Sequence, residues 1–444
     1  MTAAPAIRWA RSGLMSLTGP EHGAPLVPAF AAMTGIDELM EELRSNAAAL
    51  GAQLDIDASM LGGRAHLMNL RRGGVESCNR SCRLLEARDG WIALSLPRPS
   101  DVEMLPAWLG SEAGADPWRA ASQSVRRFDR AELTAMAEGL PLAFAVLPEA
   151  AAAPGTAAPG VAAPGVATPG VATPGTSTRT RAVRAHSPLV IDLSALWAGP
   201  LCGQLLRRTG ARVIKVESVQ RPEPARQSCP AFFDLLNAGK ESLLLDFGDA
   251  SHRSRLRRLI EAADMVISSA RPRALEQLEL DPAQLLRGRP ALVWIAITAH
   301  GWHGAAGQRV GFGDDAAAAA GLVAAGDDGR PAFMGDAIAD PLAGMSAAAA
   351  GLRARLEGAG GLYDISLRGC AERIAGARCL MPCERGAVHP RGAGWCLRVG
   401  GLEAAVSAPW PPSACTERAA PAGAHTRQII EEIDGPFRGS AARR

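Results

Sequence analysis

From residue 189 onward the chain alternates short apolar runs with longer amphipathic stretches. Leu189–Leu193 (LVIDL) reads as a strand, 199–209 as a helix with Leu201, Leu205 and Leu206 on one face, and 212–217 (RVIKVE) as a second strand. The same alternation predicts a third strand at 243–246, a helix over 249–262, and further strands at 265–268 and 292–298. Helices of ten or more residues between strands require parallel pairing. The pattern therefore predicts an α/β, doubly wound, mainly parallel sheet of Rossmann-like type. Its strands are apolar throughout, as expected when both faces of a sheet are covered.

Before residue 150 the periodicity changes. Helices are predicted near 36–50, 60–72, 100–110 and 130–138, an extended piece at 54–58, and a hairpin from 81–86 and 90–96. This predicts a smaller α+β domain over 1–150. Residues 151–175 then run as five pentapeptides, AAAPG, TAAPG, VAAPG, VATPG and VATPG. A proline in each unit removes an amide donor and blocks helix, so the segment reads as a linker spanning roughly 30 Å as a coil. With 176–185 it separates the first domain from a second over 186–444. There is also an internal echo. Residues 12–35 parallel 320–344, with Gly23 and Pro25 opposite Gly329 and Pro331, and Thr34 opposite Asp340.

Charge narrows the function. Lys plus Arg number 47 against 45 acidic residues, a net of +2, which argues against a nucleic-acid partner. Only two lysines occur, Lys215 and Lys240, in a chain that otherwise uses arginine. Each is thus a candidate for a position that needs a compact ammonium. No apolar run reaches eighteen residues and no signal pattern opens the chain, so the expectation is a cytoplasmic protein without a membrane partner. Nine cysteines do not suggest a disulfide framework at this length. The Cys78/Cys82 and Cys379/Cys383 spacings lack a second ligand pair, His389 being a lone neighbour, so no metal is expected.

Several segments in order resemble the family III CoA-transferases, the group of formyl-CoA transferase, carnitine-CoA transferase and α-methylacyl-CoA racemase. They are VIDLSALWAGPLCGQLLRRTGARVIKVES (190–218), LLNAGKESLLLDF (235–247), ADMVISSARPRALEQLEL (263–280), ITAHGWHG (297–304), GDAIADPLAGMSAAAAGLRA (335–354) and YDISL (363–367). APAGAHTRQIIEEI (420–433) resembles the family's C-terminal helix, and 54–67 and 82–110 resemble family segments in displaced order. The resemblance implies a fused, partly permuted member that acts on acyl-CoA and carboxylic acids, holds no permanent cofactor beyond coenzyme A as substrate, and forms a homodimer.

It also implies site residues. Asp340, in Ala-Asp-Pro-Leu-Ala-Gly, falls on the family's nucleophile, and Pro341 predicts that it caps a helix. Gly335 and Gly344 would let backbone approach the thioester. Lys215, Lys240 and Arg271 of the Arg-Pro turn would face the phosphates of CoA, and Trp197 before the AGP turn would shape the acyl pocket. A carboxylate nucleophile suits CoA transfer, because its attack on a thioester gives a mixed anhydride that CoA thiolate can reopen. The expected activity is an acyl-CoA:carboxylate CoA-transferase. The alternatives are an acyl-CoA racemase or isomerase of the same family, disfavoured by Phe312 in the histidine slot of GFGDDAAAAAG (311–321), and a catalytically silent CoA-binding homolog.

Overall fold

The computed structural model describes residues 4–110, 116–149, 187–411 and 417–435. The pentapeptide linker lies outside the described residues.

Helices α1 (Pro5–Arg11), α2 (Ala32–Ala49) and α3 (Ser59–Leu67) open the chain. An antiparallel meander follows, β1 (Cys82–Ala87), β2 (Gly90–Ser95) and β3 (Ala143–Leu147), with helices Pro117–Val125 and Arg130–Ala137 packed on it around Trp108, Phe144 and Leu94. The hairpin falls where its apolar alternation predicted it. The third strand was not predicted from the sequence.

The second part builds a six-stranded parallel sheet from β4 (Leu189–Asp192), β5 (Arg212–Ser218), β6 (Glu241–Leu245), β7 (Met265–Ser268), β8 (Val293–Thr298) and a last strand, Gly361–Ser366. Between β8 and that last strand stand the hairpin β9 (Val323–Ala325) and β10 (Pro331–Phe333), so Gly361–Ser366 is β11. The spatial order is β11-β8-β7-β4-β5-β6. Chain order therefore reverses between β4 and β7, the point where open α/β sheets leave a crevice at their carboxyl edge. Helices α4 (Ala198–Arg208), α5 (Pro230–Asn237) and α6 (Ala250–Ala262) link the first four strands. After β8 come α7 (Gly313–Ala319) and the long α8 (Ala339–Glu357), and after β11 comes α9 (Leu367–Ala375). A C-terminal meander, β12 (Ala387–Arg391), β13 (Gly394–Val399) and β14 (Leu402–Ala405), precedes α10 (Thr426–Asp434). The α10 segment covers the free edge of β6, where His425 Nδ1 and Thr426 Oγ1 accept from the amides of Ser242 and Leu244.

The hydrophobic core does not divide at residue 150. Ile7, Trp9, Ile36, Leu43 and Leu61 share one cluster with Leu201, Leu205, Leu342 and Ile365. The first sixty residues thus cover the same face of the large sheet as α4 and α8, while Leu256, Ile260, Leu275 and Ile429 cover the other face. Of the expected first domain, the meander and its helices keep a core of their own, and Leu17, Ala65 and Cys78 form a further small cluster. The extended piece 54–58 forms no strand, because it spans the surface between α2 and α3. The echo has a structural counterpart. Its two copies both lead into a helix, α2 and α8, and these pack together through Asn46 to the Ala349 carbonyl (3.3 Å) and Arg353 to Glu42 (3.2 Å).

Gly344 serves this packing. A Cβ there would stand 2.6 Å from the Ala198 carbonyl and 3.0 Å from the Leu201 Cβ, so glycine lets α8 and α4 touch backbone to backbone. This corrects the expected role of Gly344 at the thioester. Gly344→Ala is expected to destabilise the fold by about 1–3 kcal/mol through overpacking, read as a lower urea midpoint. An unchanged midpoint would mean that the two helices are not in this contact.

Candidate functional site

The start of α8 is the most constrained turn of the chain. Gly335 and Ala337 both take positive φ, +67° and +42°, just before the helix. For alanine that conformation is strained. It is held in place because the Ala337 amide donates to Asp314 (2.9 Å), the Gly335 amide donates to Thr18 Oγ1 (3.2 Å), and the Cys78 thiol donates to the Gly335 carbonyl (3.1 Å). Gly335 therefore shapes the turn rather than lying open to a ligand.

This turn corrects the expected capping of Asp340. Ile338 is the N-cap and Asp340 the second helical residue, with Pro341 one place further in. Its carboxylate still lies within the first turn, where the helix favours negative charge. The Gly313 amide hydrogen-bonds it, and a Cβ at Gly313 would come 2.5 Å from Asp340 Oδ2. Burial dominates all the same. It pushes the Asp340 carboxyl up to about 7, Arg64 opposing and Asp315 and Asp336 adding to the rise.

Four acids cluster here with one cation. Arg64, from α3, forms a two-pronged ion pair with fully buried Asp336, Nε to Oδ2 at 2.7 Å and Nη2 to Oδ1 at 2.5 Å. Burial opposes its charge, but Asp336 more than offsets that, and Asp314 and Asp340 add to the effect. Burial, with the Asp336 charge, pushes Asp314 up to about 7. Asp315 rises to about 6 by burial, although Ser95 Oγ (2.7 Å) and the Phe312 amide (2.9 Å) both donate to it. The guanidinium of Arg64 also lies over the Trp197 ring, 4.8 Å from its centroid, and Trp197 meets Phe232 edge-on at 5.1 Å. Trp197, 2% exposed, thus walls the same cluster from the AGP side.

The expected phosphate ligands separate. Lys240 is buried and spends its ammonium on Asp192 (2.8 Å), the Pro200 carbonyl (2.7 Å) and Asn237 (3.0 Å). Burial pulls it down to about 8 against the pull of Asp192. Lys215, 2% exposed, donates to the Ser194 carbonyl (2.8 Å) and lies 3.7 Å from Glu223, which accepts from the Leu196 amide. Both lysines therefore brace the β4–α4 loop and do not face CoA, a correction that explains why arginine did not replace them. A compact ammonium fits these enclosed oxygens where a planar guanidinium would not. Arg271 does stand exposed at the carboxyl edge beside the β4–β7 crevice, where it donates to the Gln308 carbonyl (3.0 Å).

Sequence reasoning missed Arg64, Asp314, Asp315 and His300. Arg64 comes from the segment 54–67, which resembles the family in displaced order, so order along the chain gave no hint of its place. The two acids of the GFGDD segment were read only for their missing histidine. Among the described residues, both ring nitrogens of His300 and one oxygen of Asp315 are buried without a hydrogen-bond partner, and His300 Nε2 and Asp315 Oδ2 lie beside Gly311. Burial and nearby Arg309 hold His300 neutral, down to about 3. Elsewhere, Cys78 and Cys82 are buried and Cys379 and Cys383 exposed. Among the described residues His389, Cys396 and Glu403 have ligand atoms within 4.8 Å of one another, but Arg391 and Arg398 already share Glu403 with His389. No helix among the described residues is long and apolar enough to cross a membrane.

The family model described as CoA-transferase family III matches residues 188–397. The chain is similar to a probable fatty acyl-CoA transferase of Mycobacterium tuberculosis, 33% identical over 177 residues that cover 38% of this chain and 45% of the relative. It is similar to succinyl-CoA–D-citramalate CoA-transferase of Chloroflexus aurantiacus, 31% identical over 191 residues, or 40% and 48% of the two chains. Alpha-methylacyl-CoA racemase of Homo sapiens is 32% identical over 115 residues, 26% of this chain and 28% of the enzyme. The chain spans about half the length of the first two of these relatives.

Two outcomes test the cluster. Arg64→Met strands the buried Asp336 carboxylate and is expected to cost about 3–5 kcal/mol in denaturant unfolding; a loss below about 1 kcal/mol would contradict the pairing. The second concerns pH. A carboxyl raised in the folded state stabilises it below the unfolded value of 3.8 and loses that contribution as pH rises toward about 7. Measured against Asp340→Asn, which stays neutral, the wild type is therefore expected to lose stability from pH 4 to 7. A constant difference would refute the burial of this group.

Proposed function

We propose, since the chain is a member of CoA-transferase family III through residues 188–397, that it moves CoA from an acyl-CoA to a carboxylic acid with Asp340 as the carrier. One observation carries this reading. A carboxyl group poised near 7 stands at a strained turn that opens a helix, beside the sheet's carboxyl-edge loops, in the segment that matches the family. Such a group is ionised often enough to attack at neutral pH, and its partial exposure leaves the carboxylate open to a substrate.

The steps balance without any further reagent. The Asp340 carboxylate attacks the thioester carbonyl and expels CoA thiolate, giving a mixed anhydride. The thiolate attacks the aspartyl carbonyl, which releases the first acid and leaves CoA as a thioester on Asp340. The acceptor carboxylate then attacks that thioester, and the thiolate returns to the new acyl carbonyl, freeing Asp340. Arg64 would steady the charge that shifts among the acids, and Trp197 would wall the reacting centre. Arg271, exposed at the crevice, would meet a phosphate of CoA. Because the chain covers about half of its relatives, its substrates are proposed only as classes, an acyl-CoA and a carboxylic acid.

A second reading has one specific support. Asp314 and Asp340 both rise to about 7 and act on each other electrostatically, so two acid/base groups share the site, and the racemase is among the relatives. Exchange of the α-hydrogen into deuterium oxide without any acceptor acid would favour it.

The transfer reading predicts that hydroxylamine traps an aspartyl adduct after incubation with an acyl-CoA panel. The yield should rise with pH through about 7, as attack needs the ionised form, and vanish in Asp340→Ala. An adduct that survives Asp340→Ala, or none with any acyl-CoA, would overturn the assignment.

A further inference from the structure

A groove of about 450 Å³ lies between the 3-10 turn at Met15–Leu17, the end of α3 and the strand-like segment at Pro409. Its lining carries Arg71, Arg72, His22 and His66, while Leu17 and Leu70 give it an apolar floor. Its one acid, Glu21, is already paired with Arg80 at 3.1 Å. Among the described residues no carboxylate pairs with Arg71 or Arg72.

Arg72 makes this imbalance costly. Its guanidinium is fixed by three carbonyls, those of Pro20 (2.8 Å), Ser16 (3.2 Å) and Gly23 (2.7 Å). It is half-buried, and burial lowers its pKa, with no carboxylate paired to it among the described residues. A desolvated, pre-positioned cation without a counter-charge calls for an anion from outside. Arg71, the next residue, is exposed and has no hydrogen-bond partner or ion pair of its own among the described residues. Two adjacent guanidiniums with two imidazoles suit a dianion. The volume exceeds that of a bare phosphate and falls in the range of small-molecule sites.

We propose that this groove binds a phosphate monoester of nucleotide size, its phosphate held by Arg71 and Arg72 and its body resting on Leu17 and Leu70. The site is separate from Arg271 and does not depend on the transfer reading. It lies one layer from the turn before Asp340, since the Cys78 thiol lies 3.6 Å from the Leu17 carbonyl and 3.1 Å from that of Gly335. The phosphate could be that of CoA itself or of a separate small phosphorylated ligand, and the test distinguishes the two.

The full chain is titrated by calorimetry with adenosine 3′,5′-bisphosphate and with AMP, each with and without CoA. At least one nucleotide is expected to bind, with affinity about tenfold lower in Arg71→Ala and abolished in Arg71→Glu. Arg71 makes no internal contact, so both variants should keep the wild-type melting temperature. Displacement by CoA would assign the phosphate to CoA, and AMP binding unaffected by CoA would assign it to a separate ligand. Binding of neither nucleotide, or equal affinity in wild type and Arg71→Glu, would overturn the proposal. So would loss of binding in Arg271→Ala alone.

Discussion

The ion pair between Arg64 and Asp336 is the constraint on which the site depends. It joins α3, from the early part of the chain, to the turn that opens α8. Without a counter-charge, Asp314, Asp315, Asp336 and Asp340 would not remain together in a space this closed to water. Arg64 supplies one positive charge to four acids. Burial pushes Asp314, Asp315 and Asp340 toward neutrality, and neighbouring acids add to the rise at Asp314 and Asp340, which leaves Asp340 near 7. The same pair draws the first sixty residues onto the large sheet and makes the two parts of the chain one core at this point.

The sheet was legible in the sequence because its signal is local. Strands β4, β5, β7 and β8 lie within a residue or so of the apolar runs that announced them, and β6 within two, since burial on both faces leaves little choice of residue. The helix that carries Asp340 was legible as well, through the Ala-Asp-Pro-Leu-Ala-Gly segment and its small residues, though its start lies two residues earlier than expected. What could not be read there is long-range. Arg64 lies 272 residues from Asp336, and no periodicity reports such a pairing. The boundary at 150 was drawn from composition, which does not report which face of a sheet a helix will cover.

The lysines teach a related lesson. Their rarity in an arginine-rich chain was read as a mark of ligand binding. The structure instead encloses both ammoniums among internal oxygens, Lys240 meeting three acceptors at 2.7–3.0 Å. Selection on a residue type can thus reflect the fit of an internal bond as readily as contact with substrate. The glycines divide likewise: Gly335 serves a turn, Gly344 a helix crossing and Gly313 the close approach of Asp340.

The central claim is that Asp340 changes its covalent partners during turnover, and oxygen isotopes follow this directly. An acceptor acid labelled with oxygen-18 in its carboxylate is supplied with acyl-CoA, and the peptide containing Asp340 is weighed after several turnovers. Transfer through Asp340 leaves one labelled oxygen on that side chain after the first turnover and up to two after several, and none on any other acid in the chain. Turnover that leaves the Asp340 peptide at its natural mass would contradict the account.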